Sequence, residues 1–128
     1  MTGNDLLNFA LAHMGEASSA ASDYLGYAIP AINVLLSECF DINNSIREYK
    51  KLKPLKEHPF IQKLDEEIPY EQELMVECLS YGLAAKLILE DNDYPKFNYY
   101  NGMYIQAQQN CQYVKLHKII DRFGGDES

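Results

Sequence analysis

Three histidines, three cysteines and several paired carboxylates are the residues in this 128-residue chain that could do chemistry. A nucleophile needs a base within hydrogen-bond reach, yet no cysteine stands beside a histidine in the sequence. His13, His58 and His117 are scattered along the chain. His13 has no second ligand nearby and reads as a surface residue, and His58, before Pro59, reads as a turn residue. Cys39, Cys78 and Cys111 fall one in each long apolar pattern, with no CxxC spacing. They are expected to be reduced core cysteines. An inward Glu-x-x-His on facing helices, which a di-metal site in a helical protein requires, does not occur. Asp91-Asn92-Asp93 opens like a calcium loop, but Tyr94-Pro95 follows, with Lys96 where the glycine belongs and Gly102 where the glutamate belongs. Glu66 with Glu67, and Glu73 with Glu77, read as solvated charges near a helix start. GxSxG, P-loop and GxGxxG patterns are missing. The expectation is a protein that is not an enzyme, with no catalytic residues, no cofactor and no metal.

Composition sets the frame for these residues. With 47% apolar residues the chain can bury one modest core, and no apolar run is long enough to span a bilayer. A single soluble, intracellular domain over 1–128 is expected, with no membrane partner. The net charge of −8 is uneven: Arg47, Lys50, Lys51, Lys53, Lys56 and Lys63 cluster, and acids dominate from Asp65 to Asp93. That basic cluster is the one candidate for touching phosphate, while the acidic remainder opposes tight wrapping of nucleic acid.

The elements that must position these residues read as helices. Residues 4–14 form a short amphipathic helix with Asn4 as N-cap, followed by a small polar hinge at 15–21. Residues 23–51 carry apolar side chains at Ala28, Ile32, Leu35, Cys39, Ile42, Ile46 and Tyr49, the seam of one long helix. Pro30 either kinks that helix or marks its first turn. Residues 52–69 contain Pro54, Pro59 and Pro69 and read as a long loop whose Leu55, Phe60, Ile61 and Leu64 either fold back on the core or form an exposed arm. Residues 70–91 form the central helix: apolar on two stripes, small at Gly82-Leu83-Ala84-Ala85, and wet only along Glu73, Glu77 and Ser80. Gly82 implies a close neighbour, because it costs about 1 kcal/mol of helix propensity. Residues 95–113 form a last helix rich in tyrosine, antiparallel to the central one, and 114–128 read as a tail. The fold class expected is all-α, a small helical bundle of two to three long helices plus the short N-terminal one.

Three stretches carry a resemblance: AINVLLSECFDINNSIREYK, the proline-broken loop ending LDEEIPYEQEL, and LSYGLAAKLILEDNDYPKFNYYNGMY. Over residues 24 to 113 the chain resembles the head-to-tail connector (head completion, or neck) proteins of tailed bacteriophages and prophages. The resemblance implies a virion structural subunit that assembles in the bacterial cytoplasm and resides in the virion neck. It also implies a ring, probably of twelve copies, below the portal, extending the DNA channel and receiving the next neck or tail component. DNA would pass without tight binding, repelled by an acidic wall. The loop would be an arm that meets neighbours, with Lys53, Leu55, Phe60, Ile61, Leu64, Tyr99 and Tyr113 as the assembly interface. The competing expectation is a small acidic regulatory helical protein that binds a host or phage factor.

Overall fold

A computed structural model describes the backbone of residues 1–125 and the side chains of residues 1–111. The chain is all-α, with no β-strand among the described residues. Helix α1 spans Gly3–His13. Its N-cap is Thr2, not Asn4. The Thr2 hydroxyl accepts from the Asp5 N–H at 3.2 Å and the Asp5 carboxylate accepts from the Thr2 N–H at 2.9 Å, a reciprocal arrangement that satisfies two end donors at once. Gly3 is fixed by crowding: a β-carbon there would lie 2.9 Å from Ile61 Cδ1 and 3.0 Å from the Leu64 carbonyl.

The expected long helix over 23–51 is instead three pieces. A 3-10 helix, Ser18–Tyr24, occupies much of the expected hinge. Helix α2 follows at Leu25–Glu38 and α3 at Phe40–Tyr49, meeting at 55° across Cys39. The break has a packing reason. α2 lies against the central helix and α3 against the last one, and a straight rod could not reach both. Tyr49, the final seam position, is consequently exposed. Pro30 sits inside α2 without ending it. Gly26, four residues earlier, is exposed, so the carbonyl deprived of its N–H has water to accept.

Helix α4 is the central element over 72–91. It opens with an α turn at Gln72–Leu74, widens to a π turn at Met75–Leu79, continues as α-helix over Ser80–Ile88 and closes as a 3-10 turn at Leu89–Asp91. Pro69 lies ahead of the helix, in the loop where the sequence placed it. Asn92 ends it in the left-handed region at φ 56°, which asparagine tolerates. Leu74, Met75, Cys78, Leu79, Leu83, Ala84 and Leu87 are fully buried, and α1, α2 and the last helix all pack on this rod. Gly82 has the close neighbours its cost implied: an added β-carbon would meet Leu35 Cδ2 at 2.6 Å and Tyr104 Cδ1 at 2.8 Å. Helix α5 runs Tyr94–Gly125, so the backbone expected as a tail from 114 continues the helix to Gly125.

Candidate assembly surface

Between α3 and α4 the backbone forms no helix, and residues 50–71 run as a strap across the outside of α3 and α2. Two asparagines hold it. Asn44 donates from Nδ2 to the Leu55 carbonyl at 3.0 Å and accepts from the Leu55 N–H at 2.8 Å. Three helical turns earlier, Asn33 does the same for Ile61, donating at 2.9 Å and accepting at 2.7 Å. A carboxamide carries one donor and one acceptor side by side, so it can satisfy both main-chain groups of one strap residue as a neighbouring β-strand would. Between the clamps the Phe40 ring meets His58 edge-on at 5.8 Å.

The far end of the strap is tied to the N-terminus. Asn4 N–H donates to the Leu64 carbonyl at 2.8 Å and Ile68 N–H to the Met1 carbonyl at 2.9 Å, with a single antiparallel bridge between Thr2 and Glu67. At the near end, Arg47 Nε donates to the Lys53 carbonyl at 2.6 Å. Arg47 and Lys50 both pair with Glu71 at 3.1 Å, and Lys50 also pairs with Glu73. The hydrogen bond to Glu73 raises the Lys50 pKa. Tyr70 donates its hydroxyl to the Leu36 carbonyl, and Glu71 N–H donates to the Asn43 side-chain oxygen at 2.8 Å.

This anchoring divides the residues singled out from the sequence. Ile61 is 2% exposed and belongs to the core, so it is no part of an arm, and Leu55 and Leu64 are half-buried against that core. Phe60 is 66% exposed and Lys53 is exposed, so these two do face outward. Tyr99 is 60% exposed on α5, its ring edge-on to Tyr100 at 5.4 Å. Tyr113 lies outside the residues whose side chains are described. The strap therefore brings Lys53 and Phe60 to the surface, and Tyr99 stands apart from them on another helix.

Two polar constellations inside the subunit were not expected. His13 is half-buried and stacks on Tyr81, with ring centroids 3.9 Å apart. Its Nε2 lies 2.9 Å from Ser80 Oγ, and its carbonyl accepts from the Tyr100 hydroxyl at 2.9 Å. Ser80 is thus buried rather than wet. Its hydroxyl lies 2.5 Å from the Val76 carbonyl, to which it donates, and so stands between that carbonyl and the imidazole. Burial lowers the His13 pKa.

Cys39 and Cys78, far apart in sequence, meet where α2 gives way to α3. Cys39 Sγ lies 3.3 Å from the Tyr104 hydroxyl and accepts from Gln108 Nε2 at 3.8 Å, while the Cys78 thiol donates to the Tyr104 carbonyl at 3.9 Å. The Tyr104 hydroxyl gives its hydrogen to Glu38 at 2.9 Å. A hydrogen bond to Cys39, with burial, pushes the Cys78 thiol well up, which keeps it neutral. No group of three or more His, Cys, Asp or Glu placed to hold a metal ion occurs among the described residues. One signal for the strap was present in the sequence: Asn33 and Asn44 are poor helix formers within helical patterns, where such a side chain often serves main-chain groups elsewhere. Protein-family models, curated proteins and solved structures yield no match to this chain.

Proposed function

We propose that the chain is a virion structural subunit, a head-to-tail connector of a tailed phage or prophage, which stacks as a ring below the portal and extends the DNA channel. The helices form a bundle around α4, and the strap with α5 supplies the surface that other subunits meet. The observation that carries this reading is the set of large apolar side chains left outside a well-filled core: Phe60 at 66%, Tyr94 and Tyr99 at 60%. Tyr94 and Tyr99 are exposed on one helix and Phe60 is a separate point on the strap, and contiguous apolar surface of the first kind marks places where another protein sits. The resemblance of residues 24 to 113 to connector proteins says which kind of partner that is. The net charge of −8 suits a channel wall, since like charge repels a threading duplex enough to keep it from sticking. In this reading the portal, the next neck component and further copies of the chain are its partners.

The test is to add the protein to portal-bearing, DNA-filled heads and image the necks. A ring of added density is expected. Phe60→Ser should weaken that density while the far-ultraviolet circular dichroism stays unchanged, because Phe60 is outside the core. Wild-type protein that adds no density would refute the assignment.

A further inference from the structure

Two interruptions of regular α geometry carry a cysteine each, and packing brings them together. Cys39 stands between α2 and α3, at φ −104° and ψ 9°, where the helices meet at 55°. Cys78 lies in the π turn of α4, Met75–Leu79. Both are fully buried, and their thiols share a hydrogen bond. Tyr104 frames the pair, its hydroxyl 3.3 Å from Cys39 Sγ and its carbonyl 3.9 Å from Cys78 Sγ. Gln108 Nε2 reaches Cys39 Sγ from a third side, at 3.8 Å.

A buried cysteine that only fills space behaves as a small apolar side chain and needs no second thiol beside it. Two thiols in contact have another chemistry, because loss of two hydrogens joins them. A disulfide tolerates a narrow range of geometry, so the backbone that carries it must adjust. Within a regular helix the hydrogen bonds on either side resist that adjustment. At the α2–α3 joint and in the wider π turn they resist it least, and those are the two places where these cysteines lie. The bond would also leave the surrounding polar groups served. The Tyr104 hydroxyl keeps Glu38 at 2.9 Å, and the Tyr104 carbonyl stays within α5, whose next turn supplies a donor.

We infer that Cys39 and Cys78 are a redox pair, two thiols in the newly made chain that a small hydroperoxide joins as a disulfide. Cys39 is the attacking sulfur. The hydrogen bond with Cys78 holds its thiol below the ordinary range, while the same contact pushes Cys78 well up and keeps it protonated. Cys39 Sγ bonds to one peroxide oxygen as the O–O bond breaks, and the other oxygen leaves with the thiol proton as water or alcohol. Sulfur is oxidised by two electrons and the peroxide is reduced. Cys78 Sγ then attacks the sulfenic acid, the S–S bond forms, the S–O bond breaks, and the hydroxyl takes the Cys78 proton away as water. The oxidant is no larger than a few atoms. Its way in passes Cys111, half-buried in the clefts between α3, α4 and α5 and one turn from Gln108, and local opening of the bend completes the path. The bond would tie the bend to α4 and enclose the whole strap in a covalent loop, which restricts the unfolded chain. Only its occasion rests on the connector reading, in which the subunit leaves a reducing cytoplasm with the released virion.

The purified full chain is reduced with a dithiol, freed of it, and treated with hydrogen peroxide in slight excess. Thiols are then counted in denaturant. Of the three in the reduced protein, one should remain. Peptide mapping should find Cys39 joined to Cys78, with Cys111 free. Oxidation should raise Tm by about 10 °C, and dithiol should reverse the gain. Cys111→Ser should form the same bond with the same gain. Cys78→Ser should form none, with Cys39 carried on to sulfinic acid in the mass spectrum. If Cys78→Ser does not fold, mapping of wild type and Cys111→Ser decides the question. Three thiols that survive peroxide, a bond that includes Cys111, or an oxidised chain that melts no higher than the reduced one would each overturn the inference. A chain that closes the bond yet adds no density to heads would sink the connector reading alone. Density on heads from a chain that keeps all three thiols would sink the redox pair alone.

Discussion

The two asparagine clamps make a sharp prediction about the strap, and Asn33 is the better one to break. In Asn33→Ala the Ile61 carbonyl and N–H each lose a partner, at 2.9 and 2.7 Å, in a residue only 2% exposed. A neutral hydrogen bond contributes about 0.5–1.5 kcal/mol net, and a buried group left unpaired costs about 1–3 kcal/mol. Together they put the loss near 2 kcal/mol, most of it confined to the strap. Alanine improves the propensity of α2 by about half a kcal/mol, which partly hides the effect in a global melt. Native-state hydrogen exchange reads the strap directly, since local opening carries its own free energy. At 1.4 kcal/mol per decade, the Ile61 amide should exchange about 30-fold faster in Asn33→Ala. The Leu55 amide, held by Asn44 at 2.8 Å, should change little and serves as the internal control. Asn33→Asp keeps an acceptor for the Ile61 N–H but loses the donor, so its effect should be intermediate. An Ile61 amide that exchanges within about twofold of wild type would show that the clamp does not hold the strap.

Two further tests probe the interior. Gly82→Ala gains about 1 kcal/mol of helix propensity but sets a methyl 2.6 Å from Leu35 Cδ2 and 2.8 Å from Tyr104 Cδ1. Overpacking costs about 1–3 kcal/mol, so the net should be destabilising, with Tm lower by about 5 °C. Gly102→Ala, in open space, should instead raise Tm. For His13, whose pKa burial depresses below the ordinary 6.5, the unfolded chain takes up the proton first as pH falls. Its contribution to stability is therefore full above about pH 6.5 and is lost as pH drops from there through the folded pKa. His13→Gln should flatten that part of a Tm against pH profile, and an identical slope in both proteins would contradict the assignment.

What the sequence by itself determined was local and periodic. The apolar spacing of 72–91 marked α4 as central, the glycine at 82 announced a close neighbour, and the charge asymmetry was plain. Periodicity reports which face of a helix is buried, because each turn repeats the same geometry. It does not report where a seam changes partner, so the bend at Cys39 was invisible. The seam continues in register on both sides of it, and only the positions of α4 and α5 demand the turn. The strap shows the same limit. Phe60 and Ile61 are adjacent apolar residues with no pattern to separate them, yet one is exposed and the other buried. Asn33 decides which, by taking the Ile61 backbone from twenty-eight residues away in sequence. The meeting of Cys39 with Cys78 and of His13 with Ser80 likewise depended on the order in which helices stack on α4. Contacts between residues remote in sequence follow from packing, and only the tertiary structure contains that information.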